Sequence, residues 1–175
     1  DTTFQAVELP WANVSDTPFR LFKRWIHEGG ISTPFIVHWP DQIQQSNILT
    51  NPMHIIDISA TCYEIAGAQY PAEHHDTEIT QLEGESFLPA LQGRKWDREQ
   101  PITVEHEGNR GIRLGDWKLV ADRNFEKFQL YEIQKDWQEK NNLARENPEK
   151  LEEMKKTFFV QKKKIFFFFF FFFFF

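Results

Sequence analysis

Residues 17–40 read TPFRLFKRWIHEGGISTPFIVHWP. Three cations, Arg20, Lys23 and Arg24, crowd into one short stretch, and Glu28-Gly29-Gly30 follows them. Held beside a turn, such side chains can clamp an oxyanion such as sulfate, phosphate or carboxylate, because charge-assisted hydrogen bonds converge on its oxygens. The same spacing also describes a solvated helix face, the ordinary fate of surface Lys and Arg. Spacing alone leaves both readings open.

The other polar candidates are weaker. His74-His75-Asp76 suggests a metal site only at first sight: adjacent histidines in a polar loop point apart and lack the i, i+4 spacing of helical ligands. His27, His38 and His54 sit in segments where satisfied packing is the expected role. Cys62 falls in an apolar helical run and reads as a small buried hydrophobe. It is the one cysteine, so no internal disulfide is possible and cysteine usage does not reveal the compartment.

Elements must position these groups. SDTPFRLFKRWIHEGG is expected to form a short helix or helical turn, capped by Asp16 or Thr17, with Pro18 in its first turn. Phe19, Phe22 and Ile26 would face inward, and Gly29 and Gly30 would end the helix by adopting positive φ. PFIVHWP has the nearly all-apolar pattern of a strand buried on both faces. HIIDISATCYEIAG reads as a helix ending at Gly67, YPAEHHDTEITQLEGES as a surface loop, and SFLPALQG as a helical turn closed by Gly93. From Ile102 the period becomes two. ITVEHEG, GIRLGDWKLVAD and FQLYEI read as strands, with a hairpin turn at Gly115-Asp116. ENPEKLEEMKKTF reads as a helix that begins at Asn147-Pro148 and carries a seam of Leu151, Met154 and Phe158.

The chain has 175 residues and a formal charge of −6. That fits one domain or a piece of a larger protein, and argues against a non-specific nucleic-acid binder, which needs a broad basic surface. A local basic cleft can still attract a small anion. DTTFQAVELPW has no features of a secretory signal, and the chain is expected to begin inside something longer. Residues 166–175 are ten consecutive phenylalanines after Lys162, Lys163, Lys164 and Ile165. That run is too short for a membrane span and is set aside as a sequence artefact, so no membrane insertion is expected.

The segment around Lys23 resembles the signature of the sulfatases, the formylglycine-dependent arylsulfatase-like enzymes of the alkaline phosphatase superfamily. The family pattern is a lysine five residues before Glu-Gly-Gly, then a Pro-led strand ending in Trp-Pro, here Lys23, Glu28-Gly29-Gly30, Pro34 and Trp39-Pro40. HIIDISATCYEIAG, LEGESFLPALQG, EHEGNRGIRLGDWKLV, FQLYEI and DWQEKNNLARENPEKLEEM follow in the family's order, so the resemblance covers Trp11 to Lys156. It implies an α/β fold: the C-terminal part of the alkaline phosphatase-like sulfatase fold, with a small subdomain of antiparallel sheet and helix. Residues 1–93 would end the large domain and residues 94–160 would form the small one.

By the same resemblance, Lys23 contacts the sulfate group. An ammonium there stabilises charge that develops on the departing ester oxygen. Glu28 would pin the turn, and the glycines would set its path. EHEGNRGIRLGDWKLV corresponds to a segment near the pocket mouth, usually with Ala where this chain has Gly111. His106 would then hydrogen-bond the leaving group or a sugar hydroxyl; equally, His106 and Glu107 can simply end a strand and hold a bend. Arg110 and Arg113 could touch an acidic sugar, but solvation on the sheet face is their expected role.

The oxidisable Cys/Ser-x-Pro/Ala-x-Arg motif is absent, since Cys62 is followed by YEIAG, and no Asp-Asn pair precedes Lys23. The implied calcium ligands and nucleophile would therefore lie upstream, and the fragment alone is expected to bind no catalytic metal and to be inactive. The implied substrate is a sulfated small molecule or carbohydrate, and the implied location is periplasmic or extracellular. A phosphate or phosphonate ester hydrolase of the same superfamily and a non-catalytic module for acidic glycans are the rival readings.

Overall fold

The computed structural model describes residues 8–172, with side chains as far as Gln161. The chain divides into two units, one of Phe35–Ile102 and one joining the stretch up to Pro34 with that from Thr103.

In the second unit the period-two pattern becomes an antiparallel sheet in the order β3 (Ile102–His106), β4 (Asn109–Leu114), β5 (Trp117–Ala121), β6 (Phe128–Glu132). Ile112 pairs with Leu119, and Leu119 with Leu130. These three point to one face, where Met154 and Phe158 of α5 (Pro148–Phe172) complete a buried cluster. The helix begins at Pro148 and presents the Met154 and Phe158 seam inward, as its spacing predicts. Gly115, with φ 55°, turns β4 into β5.

Alternation puts Val120, Gln129 and Tyr131 on the opposite face, together with Lys118, which pairs with Tyr131 in the ladder. Ile26 covers that face and is buried with Val120, Tyr131 and Ile133. Gly111 lies where a Cβ would run into the Ile26 side chain.

The segment before Ile26 departs from its expected helix. The helix there is α1 (Leu9–Ser15), and residues 16–27 run as turns, with Leu21 at φ 65° and Arg24 at φ 107°. Gly29 and Gly30 are not at positive φ; they lie inside α2 (Glu28–Ile31), a single turn. Close approach requires them. A Cβ on Gly29 would strike the carbonyl oxygens of Arg20 and Leu21, and one on Gly30 those of Phe22 and Trp25. Tertiary contacts override helix propensity here: Phe19 packs edge-on against Trp137 at 5.4 Å, and Ile26 is drawn into the sheet.

In the unit Phe35–Ile102, α3 (Ile55–Ile65) forms as expected. It is opened by a capping box in which the His54 amide donates to Asp57 Oδ2 at 2.7 Å. Its buried residues are polar. Thr61 Oγ1 accepts from the Phe87 amide just before α4 (Leu88–Leu91), while Cys62 is exposed and not a buried hydrophobe. The loop holds only a two-residue hairpin, β1 (Glu73–His74) with β2 (Thr77–Glu78). PFIVHWP forms no strand: Phe35 and Ile36 are exposed, the latter at 88%, because no described strand pairs with it.

Candidate active site

Three consecutive residues of the basic segment engage the sheet face beneath it. Ile26 packs on Val120, His27 Nε2 meets Gln129 Oε1 at 2.7 Å, and the Glu28 carboxylate reaches Lys118.

Glu28, Lys118 and Glu139 form a buried ionic cluster. Lys118 Nζ lies 2.6 Å from Glu28 Oε1 and 2.9 Å from Glu139 Oε1, while Glu139 Oε2 accepts the Glu28 backbone N–H at 2.7 Å. Burial raises the pKa of the Glu139 carboxyl above the usual range, and the Lys118 ammonium and the Glu28 amide offset this only in part. Removing Lys118 alone would leave two carboxylates facing each other out of water, a change that costs about 3–5 kcal/mol in comparable buried pairs. Sequence reasoning missed Lys118 and Glu139. A signal for Lys118 existed: it is the one charge in WKLVA, a strand otherwise apolar at every position.

His27 is buried, and its Nε2–H donates to Gln129, which also accepts from Tyr131 Oη at 2.9 Å. Burial lowers its pKa to about 4; the Gln129 bond opposes this, and the Arg20 and Lys118 charges add to it. Burial likewise pushes the Tyr131 phenol up to about 12.

Lys23 is exposed on the loop, and its ammonium makes no ion pair or hydrogen bond among the described residues. His106 is exposed at the end of β3. No direct contact joins the two among the described residues, but their segments are tied. Arg24 Nε pairs with Glu107 at 2.8 Å, and Asn109 Nδ2 donates to the Arg24 carbonyl at 3.4 Å. The pair is exposed on both sides, so it contributes little to stability. It does keep the turn after His106 beside the Lys23 loop.

Arg110 and Arg113 are not the solvated residues expected. Arg110 forks onto Glu105 with contacts of 3.0 and 2.9 Å and lies over the Phe125 ring. Arg113 Nη1 stands 3.8 Å from Glu28 Oε2. Sheet alternation turned Arg113 toward the charged cluster. His38 is exposed instead of packed, whereas His54 caps α3. The rings of His74 and His75 lie 4.1 Å apart, and no group of three His, Cys, Asp or Glu among the described residues could hold a metal ion.

Together, an antiparallel sheet backed by a helix and crossed by a lysine-bearing Glu-Gly-Gly loop define a module of the α/β, alkaline phosphatase-like sulfatase fold. Residues 19–164 match the family model described as N-sulphoglucosamine sulphohydrolase, C-terminal, and the chain belongs to that family. An uncharacterised sulfatase of Schizosaccharomyces pombe is 27% identical over 82% of this chain and 27% of its own length. A sulfatase of Formosa agariphila is 29% identical over 77% of this chain and 26% of its own. The crystal structure of Ps i-CgsB superposes with a TM-score of 0.61 at 26% identity, over 79% of this chain and 30% of that one. Its complex with k-i-k-neocarrahexaose gives 0.53 at 25%, over 67% and 26%. The chain thus spans about a quarter of the length of the curated relatives it matches. Among the described residues no helix is long and apolar enough to cross a membrane.

Proposed function

We propose that this chain is the C-terminal portion of a sulfuric ester hydrolase and that Lys23 is its contribution to the chemistry. The observation that carries the reading is a family match spanning the loop on which Lys23 stands exposed, its ammonium without an ion partner among the described residues. S–O cleavage leaves negative charge on the departing ester oxygen. An ammonium held there is stronger bound to the transition state than to the substrate, and so raises kcat. Lysine fits as a compact charge on a long stem.

The family implies calcium and a formylglycine nucleophile. Both belong to parts of the longer enzyme outside this chain. Residues 1–93 and 94–160 serve as the end of its large domain and as its small domain. The substrate is a sulfated carbohydrate, a reading supported by the bound oligosaccharide of Ps i-CgsB. His106, at the end of β3 beside the turn tied to Arg24, bonds the leaving group or a sugar hydroxyl of that substrate. The enzyme acts in the periplasm or outside the cell.

The test is Lys23→Ala in the longer enzyme, expected to lower kcat by about tenfold or more, ~1.4 kcal/mol of barrier, on sulfate esters. A smaller loss counts against the role. His106→Ala is expected to raise KM on the carbohydrate ester while kcat holds; an unchanged KM removes His106 from the site. Turnover of phosphate but not sulfate esters would identify the phosphoryl-transferring rival. Binding of a sulfated oligosaccharide at low salt without turnover would identify a glycan-binding module.

A further inference from the structure

We infer that Lys118 and Glu139 are positioning residues for Lys23, an inference that rests on the reading of Lys23 above. α2 is one turn long, and the N–H of its first residue has no partner within the helix; Glu139 supplies one at 2.7 Å. Lys118 bridges that same carboxylate to the Glu28 side chain, with ammonium–oxygen distances of 2.9 and 2.6 Å. Two segments remote in sequence, those of Lys118 and Glu139, therefore close on Glu28.

The clamp is connected to Lys23 through backbone. The carbonyl oxygens of Arg20, Leu21, Phe22 and Trp25 rest directly on Gly29 and Gly30, closer than any Cβ would allow. The loop bearing Lys23 cannot shift without α2, and α2 cannot shift without breaking the cluster. A lysine stem is flexible, so the reach of its ammonium is governed by where its backbone is anchored. Glu139 is itself kept at φ 54°, a left-handed conformation that a non-glycine residue holds only when its surroundings over-determine it. A buried ionic trio is a poor device for stability alone, since well-packed apolar residues of similar volume often do as well. It does set position, because each donor and acceptor must meet its partner.

The test uses the longer enzyme and two aryl sulfates, 4-nitrophenyl sulfate with a good leaving group and phenyl sulfate with a poor one. Glu139→Gln and the charge-neutral pair Lys118→Met with Glu139→Gln are each made with Lys23 present and with Lys23→Ala. The expected result is a kcat loss of about tenfold on phenyl sulfate, a smaller loss on 4-nitrophenyl sulfate, and KM within about threefold. In the Lys23→Ala background the same substitutions should change kcat by less than about twofold, because the group they position is gone. Glu139→Asp, which keeps the charge, should recover part of the loss. The inference is overturned if folded clamp variants keep kcat and leaving-group dependence, if their loss persists undiminished without Lys23, or if none of them folds. Failure of the underlying reading looks different: Lys23→Ala by itself would then leave phenyl sulfate turnover nearly intact.

Discussion

His27 gives the protein a pH-dependent contribution whose sign follows from its surroundings. Burial opposes a charge on the ring most, Arg20 and Lys118 add to that, and the Gln129 hydrogen bond and Glu28 only partly offset it. The folded pKa of about 4 lies below the ordinary 6.5. Between those values the unfolded chain takes up a proton that the folded chain refuses. The stability is therefore fully present above pH 6.5 and falls away as the pH drops toward 4. From pH 7 to 5 the loss should be about 2 kcal/mol. Urea midpoints at the two pH values measure it, and His27→Gln should flatten the difference; an equal slope in that variant would remove His27 as the cause. Lys23 is a candidate only through the family resemblance, because its charge spacing alone fits a solvated face equally well. Glu139 could not be found from the sequence, because its role depends on Glu28 and Lys118, both far away in sequence.

At the level of elements, the strands from Ile102 and the helix after Asn147 were legible because each carries its own period and its own turn chemistry. The stretch from Asp16 to His27 forms no helix. Its apolar residues have helical spacing, yet Phe19 and Ile26 are used by separate tertiary contacts, and the backbone bends through Leu21 and Arg24 to reach them. PFIVHWP shows the opposite failure: a composition suited to a buried strand makes none without pairing partners. Gly111 permits a direct check of how the loop meets the sheet. A Cβ there would run into Ile26, so Gly111→Ala should destabilise by about 1–3 kcal/mol. Combined with Ile26→Ala, whose own cost is about 2–5 kcal/mol, it should fall short of the sum by at least ~0.5 kcal/mol, since the new methyl enters vacated space. Strict additivity in chemical denaturation would sink that packing argument.

On the scale of the molecule, each of the two units carries its own buried ionic centre. In the unit Phe35–Ile102, Arg98 pairs with Asp57, while Asp57 Oδ1 also accepts the Glu85 amide at 2.9 Å. Glu85 in turn accepts the Glu99 amide at 2.9 Å. Arg98→Met should cost about 3–5 kcal/mol, because it strands a buried carboxylate. Amide exchange should then quicken over Ile55–Ile65 before it does over Asn109–Glu132, and unchanged protection in α3 would refute the arrangement. The order of the last strands and helix could be read from the residues, since each is encoded within a few consecutive positions, whereas the α/β class came from the family resemblance and the path of the basic segment from neither. The folding decided which carboxylates meet Lys118, why Gly29 and Gly30 must lack side chains, and which way Arg113 faces. Those outcomes depend on contacts between segments distant along the chain, where a local pattern carries no information until the sheet brings them together.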